Sequence, residues 1–186
     1  MALIRYVTPY SLDGNLADAM NYEISISPQG SFVCFMDRDT IILDGKYGHR
    51  INDIIAKNGV AFYTCMTNRT NCAWQRLKLI TNEDQHLKND ISHHTMLANN
   101  LLSVIGGEVE DHTHGQLWSG HFMVCPVDLW TPLALRGLLG VDNEIHRLAR
   151  DNGHRVLLMT GVYLFHWYSG YDGDGGHQKR DKSHLI

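Results

Sequence analysis

Cysteine is scarce in this chain and badly spaced for chemistry: Cys34, Cys65, Cys72 and Cys125 lie far apart, and none belongs to a C-x-x-C pair. That pattern argues against a disulfide framework and against a cysteine-built zinc site. Cys34 and Cys65 fall in apolar, strand-like runs, where a thiol packs as a small hydrophobe. Reduced thiols that bind no metal are therefore expected. Long apolar runs are missing too. No stretch approaches the roughly 20 residues that cross a bilayer, and the opening Met-Ala-Leu-Ile-Arg-Tyr-Val has neither the basic start nor the apolar core of a secretory leader. We expect no membrane span and a cytoplasmic location. Basic clusters are confined to Lys179-Arg180-Asp181-Lys182, and the formal net charge is −4, so no nucleic-acid partner is expected. Neither a repeat nor a linker breaks the 186 residues, which predicts one domain over 1–186 with a flexible Gly- and Lys-rich tail at 169–186.

What is present reads as an alternation of strands and helices. Leu3 to Thr8 is predicted as a strand ended by Pro9, Asn15 to Ile24 as a helix, and Ser31 to Met36 as a strand. Tyr47 to Lys57 places Ile51, Ile54 and Ile55 at helical spacing, Asn58-Gly59 stops it, and Val60 to Met66 returns to strand. This β-α-β-α-β succession argues for an α/β fold with parallel neighbouring strands. Further on, helix and loop are expected around the apolar Met96 to Ile105, a strand at Leu117 to Val124, a helix at Val141 to Asp151 and a last strand at Arg155 to Phe165.

The most informative motif is Asp37-Arg38-Asp39, which ends the apolar run Phe32 to Met36 and precedes a second one. Side chains at i and i+2 of an extended segment point the same way, so Asp37 and Asp39 can grip one cation. Magnesium and manganese favour such oxygen ligands and commonly enter a site with a phosphorylated substrate. In an open α/β sheet the carboxyl end of a central strand is where ligands bind.

Several segments together resemble the family 2-like glycosyltransferases of the GT-A fold. Asn15-Leu-Ala-Asp-Ala-Met-Asn21 followed by Asp37-Arg38-Asp39 is similar to their N-x-G-x-A-x-N…D-x-D arrangement, with Ala17 in place of the usual glycine. Trp118 to Val124 resembles their acceptor-side segment, and Gly140-Val-Asp142-Asn-Glu144 their acidic motif and the helix after it. Gly161 to Tyr168 is similar to the late strand that ends in a metal-binding histidine.

The resemblance implies a GT-A-like, Rossmann-related fold: a central mixed, mostly parallel sheet flanked by helices in a single domain. It implies transfer of a sugar from a UDP- or GDP-sugar donor to a glycan or other hydroxyl acceptor, with inversion. His166 would join Asp37 and Asp39 around Mn2+ or Mg2+. Donor contacts would fall to Thr8, Pro9, Tyr10, Asn15, Asn21, Asp37 and Arg38, with Lys179 and Lys182 of the tail reaching the diphosphate. Asp142 would be the base that deprotonates the acceptor, and Glu144 the second candidate.

Other readings compete. Haloacid-dehalogenase-like phosphohydrolases also begin with a strand ending in D-x-D and use magnesium. Here, however, the position four residues after the first Asp is Ile41 rather than Thr or Val, and little chain follows Asp172 and Asp174. A catalytically silent sugar-binding module would keep the same residues. A zinc site built from His112 and His114 with His93, His94 or His121 lacks any helical histidine pair such as H-E-x-x-H. Asp142 is equally suited to capping the helix that it opens.

Overall fold

The computed structural model describes residues 2–77, 90–137 and 139–167. The tail expected at 169–186, with Lys179 and Lys182, lies outside the described residues. In chain order the elements are β1 (Ile4–Val7), α1 (Leu16–Ser25), β2 (Phe32–Met36), β3 (Thr40–Ile41), α2 (Tyr47–Asn58), β4 (Phe62–Thr67), α3 (Ile91–Ile105), β5 (Val109–Asp111), β6 (Phe122–Pro126), α4 (Val141–Asp151) and β7 (Val156–His166).

These strands form one mixed sheet in the order β1-β2-β6-β4-β7-β3, with β5 also paired to β7. β1 is parallel to β2 and β4 to β7, while β6 runs antiparallel between β2 and β4. The expectation of parallel neighbours through the first half is thus corrected at one place. β2 and β4 point the same way but are separated by β6, whose segment comes much later in the chain. The consequence is that β1, β2, β4 and β7 all deliver their carboxyl ends to one edge.

Alternation along the strands builds two layers of core. Val33 and Phe35 face α1 and α4 through Ala17, Met20, Val141 and Ile145. Phe32 and Cys34 face α2 through Ile51, Ile54 and Ile55. All four cysteines are free and buried, as packing residues should be. α3 packs on β7 through Ala98, Leu101 and Tyr163. Its end lies so close to β7 that a Cβ on Gly161 would sit 1.8 Å from the Gly106 carbonyl oxygen, which leaves room only for glycine there.

Three segments depart from expectation. The strand placed at Leu117 begins only at Phe122, because 117–121 is held by side chains instead of a ladder. β3 and β5 are too short to show an alternation and form where β7 offers them a partner. No described helix is long and apolar enough to cross a membrane.

Candidate active site and metal centre

Asp37 and Asp39 follow from the end of β2 at Met36. Its buried residues end at Phe35, and the turn beyond Met36 is closed by the Thr40 N–H donating to the Asp37 carbonyl at 3.0 Å. The Asp37 N–H donates in turn to the His121 carbonyl at 3.1 Å. The chain then pairs with the end of β7, Thr40 opposite His166 and Ile41 opposite Phe165. The Trp167 N–H donates to the Asp39 carbonyl at 2.8 Å and extends this pairing by one bond. A two-residue strand is therefore what carries Asp39 to a histidine far away in sequence.

His166 Nε2 lies 3.2 Å from Asp39 Oδ1 and 3.9 Å from Asp37 Oδ2. Ligand atoms of the three residues all fall within 4.8 Å of one another. Side-chain exposure falls from 53 % at Asp37 to 19 % at Asp39 and 7 % at His166, so the group is enclosed at the imidazole and open at the first carboxylate. That opening suits a ligand that arrives from solvent.

The ring of His166 is oriented by backbone. Its Nδ1 is 3.0 Å from the Arg69 carbonyl, which can only accept, so Nδ1 carries the hydrogen and Nε2 is the atom presented to the carboxylates. Burial works against the charged imidazolium. The hydrogen bond to Asp39, the Arg69 carbonyl and the charges of Asp39 and Asp37 outweigh it, and the pKa is raised above the ordinary histidine value.

His121 lies behind, its ring stacked on His166 at 5.9 Å. Complete burial, helped by the neighbouring His166, pushes its pKa down to about 3, against the nearby carbonyls of Cys65 and Ser119. His121 is a neutral ring at ordinary pH.

Two carboxylates and one imidazole nitrogen, with the other ring nitrogen tied to a carbonyl, are a donor set that fits a divalent ion. Metal–oxygen bonds of roughly 2 Å put adjacent ligand atoms about 3 Å apart; His166 and Asp39 already have that spacing at 3.2 Å, and Asp37, 3.9 Å from His166 Nε2, would move in to join them. The mixed N and O donors suit manganese better than magnesium.

Thr8, Pro9 and Tyr10 follow β1, whose Val7 pairs with Phe35, so they stand at the same sheet edge, with Tyr10 exposed. Arg38 is exposed between the two acids. Asn15 caps α1, accepting from the Asp18 N–H at 3.4 Å and hydrogen bonding to the Asp18 carboxylate. Asn21 lies further along α1 and engages its whole amide with another loop. Its Oδ1 accepts from Trp130 Nε1 at 3.0 Å and the Leu133 N–H at 2.9 Å, and its Nδ2 donates to the Leu133 carbonyl at 2.9 Å.

Asp142 sits in the first turn of α4, where its Oδ1 accepts from the Asn143 N–H at 2.9 Å and its Oδ2 from the Gly120 N–H at 3.0 Å. A Cβ at Gly120 would come within 2.9 Å of the Asp142 Cβ, so glycine permits this approach. Burial raises the Asp142 pKa, opposed by those two N–H groups. Glu144 turns elsewhere and accepts from the Ala134 N–H at 2.9 Å and the Leu135 N–H at 3.0 Å.

Among the described residues, the other histidines form no group of three. His112 stacks on Trp74 at 4.0 Å, His94 Nδ1 meets Tyr163 Oη at 2.7 Å, and His146 bridges the Trp118 N–H and the Thr113 carbonyl. Among the described residues, the one group of three or more whose ligand atoms converge is Asp37, Asp39 and His166.

Sequence reasoning passed over Thr67, Asn68, Arg69 and Gln75. All four are buried near the site, and Asn68 and Arg69 hold His166 directly. The signal was the polar run Thr67-Asn68-Arg69-Thr70-Asn71 directly after an apolar strand. No protein-family model matches this chain, and no curated protein matches it.

Proposed function

We propose that this chain is a metal-dependent glycosyltransferase of GT-A-like fold that moves a sugar from a UDP- or GDP-sugar to a hydroxyl of a glycan or other acceptor, with inversion. The reading is supported above all by the convergence of Asp37, Asp39 and His166 at the carboxyl edge of the sheet. Mn2+ or Mg2+ is the ion such a donor set would hold, and when bound it supplies positive charge beside a leaving diphosphate. Asp37 and Asp39 approach that position through the β2–β3 turn, and His166 through Nε2.

Asp142 is the proposed base. Gly120 and Asn143 orient its carboxylate, each oxygen keeps a second lone pair, and burial moves its pKa in the direction that favours taking a proton. In this reading Thr8, Pro9, Tyr10 and Arg38 would contact the donor, and Glu144 would serve by holding the loop at 134–135. The proposal also places the protein in the cytoplasm, with the nucleotide-sugar pool.

The test is thermal melting against a panel of nucleoside diphosphates and nucleotide sugars, with and without manganese. A ligand that binds only the folded state at 100 times its Kd stabilises by about 2.7 kcal/mol, which is several degrees. We expect a shift with one nucleoside diphosphate that requires manganese. A shift only with simple phosphate esters and magnesium would replace this reading with the phosphohydrolase.

A further inference from the structure

The segment 67–77 leaves β4 at the site edge and buries polar side chains that contribute to no strand. Asn68 is 1 % exposed and Gln75 0 %. A primary amide has two donors and two acceptor lone pairs to satisfy, and burying it unbonded is costly. What these two amides bond to is therefore informative.

Both grip backbone in the two-way manner of a strand partner. Asn68 Oδ1 accepts the His166 N–H at 2.8 Å, and Asn68 Nδ2 donates to the His166 carbonyl at 3.3 Å. The β4–β7 ladder ends at Thr67 opposite Leu164, so this side chain takes over where the strand stops. Gln75 repeats the device on the other flank. Its Oε1 accepts the Ser119 N–H at 2.6 Å, and its Nε2 donates to the Ser119 carbonyl at 3.1 Å and to Thr64 Oγ1 at 2.7 Å. Two residues later the His121 carbonyl accepts from the Asp37 N–H at 3.1 Å and from Thr40 Oγ1 at 3.1 Å.

We propose that Asn68 and Gln75 are positioning residues, a pair of buried amide braces that set the geometry of the divalent-cation site. Asn68 fixes His166, and Gln75 fixes the 119–121 backbone from which Asp37 is hung. The inference rests on the cation reading of Asp37, Asp39 and His166. Its physical basis is that the ligands come from distant parts of the chain and neither two-residue β3 nor a strand end is stiff. Loss of a group that holds a ligand, without touching the ion, typically costs about 10–100-fold in metal affinity.

Manganese alone is the probe, titrated into the full chain and followed by loss of the free-ion electron paramagnetic resonance signal. Asn68→Ala is expected to weaken binding about 10–100-fold and Gln75→Ala by a smaller factor, about 3–10-fold. Asn68→Ser, which keeps a shorter polar group at this position, should fall between wild type and Asn68→Ala. Cobalt in place of manganese should show an altered visible absorption band in Asn68→Ala.

Ile54→Ala, which removes a buried side chain in the α2 layer, should destabilise the fold and leave manganese affinity unchanged. Wild-type affinity in both Asn68 variants, or equal weakening in Ile54→Ala, would overturn the proposal while leaving the cation site standing. If Asn68→Ala does not fold, Asn68→Ser decides. A wild-type chain that binds manganese no better than Asp39→Ala would overturn the cation reading itself.

Discussion

Asp37 with Asp39 and Asp142 with Glu144 are two acidic pairs of identical spacing, and they end in opposite arrangements. The first pair closes on one imidazole. The second diverges, Asp142 to the Gly120 N–H and Glu144 to the Ala134 and Leu135 N–H groups. The difference is the backbone between them. Asp37 and Asp39 flank a tight turn, closed by the Thr40 N–H to the Asp37 carbonyl, that brings both to the end of β7, whereas on a helix residues two apart lie on different faces. Spacing alone therefore says little about shared ligation until the local structure is known.

The sharpest way to break this contrast is to remove one member of each pair and measure manganese. Asp39→Ala should lose more than about 100-fold in affinity, since deleting a ligand costs more than deleting its support. Retained binding would end the distinction between the pairs, as would a comparable loss in a variant at Asp142 or Glu144.

A second test uses the two stacked rings, whose pKa values move apart. His121 is depressed to about 3, so it stays neutral in the fold while the unfolded chain takes a proton below the ordinary histidine value. Its contribution to stability is present above pH of about 6.5 and is lost as pH falls toward 3; at pH 5 the loss is about 2 kcal/mol. His166 has the opposite sign. Its raised value adds stability to the ion-free fold that is fully present below pH of about 6.5 and disappears as pH rises through the folded pKa. Manganese must displace that proton, so affinity should rise about tenfold per pH unit until the folded pKa is passed, then level off. Ring carbon shifts followed by NMR separate the two histidines. A His121 signal that titrates near neutrality would sink the assignment.

The smallest expected effects belong to the helical pair as structural groups. Asp142→Ala should lower stability by about 1–2 kcal/mol in urea, as loss of a helix-opening carboxylate does, and Glu144→Ala by about 1 kcal/mol. Neither should alter manganese affinity. The larger value for Asp142 reflects its burial and its cross-link to Gly120.

Where the residues declare themselves locally, the sequence was readable. The turn residues at Asn58-Gly59 and the isoleucine spacing of α2 place that helix to within a residue of its observed end, and α4 runs over the expected Val141–Asp151. The buried strand ahead of Asp37 and the long apolar β7 were equally plain. Asn68 and Gln75 were not, because a polar residue after a strand looks the same whether it is solvated or folded back onto another segment. Asn21 shows the same limit: its amide is engaged by Trp130 and Leu133, which are more than a hundred residues away.

By itself, the sequence determined the alternation of helices and strands, the burial of Cys34 and Cys65, and the strand-end position of Asp37 and Asp39, since all of these follow from side-chain periodicity within a few residues. Only the tertiary structure decided that β6 would enter between β2 and β4, that two residues of β3 would bring Asp39 to His166, and that buried amides would brace both flanks. Those outcomes depend on hydrogen bonds between segments far apart in the chain, and no short-range pattern encodes which partner a backbone group will find.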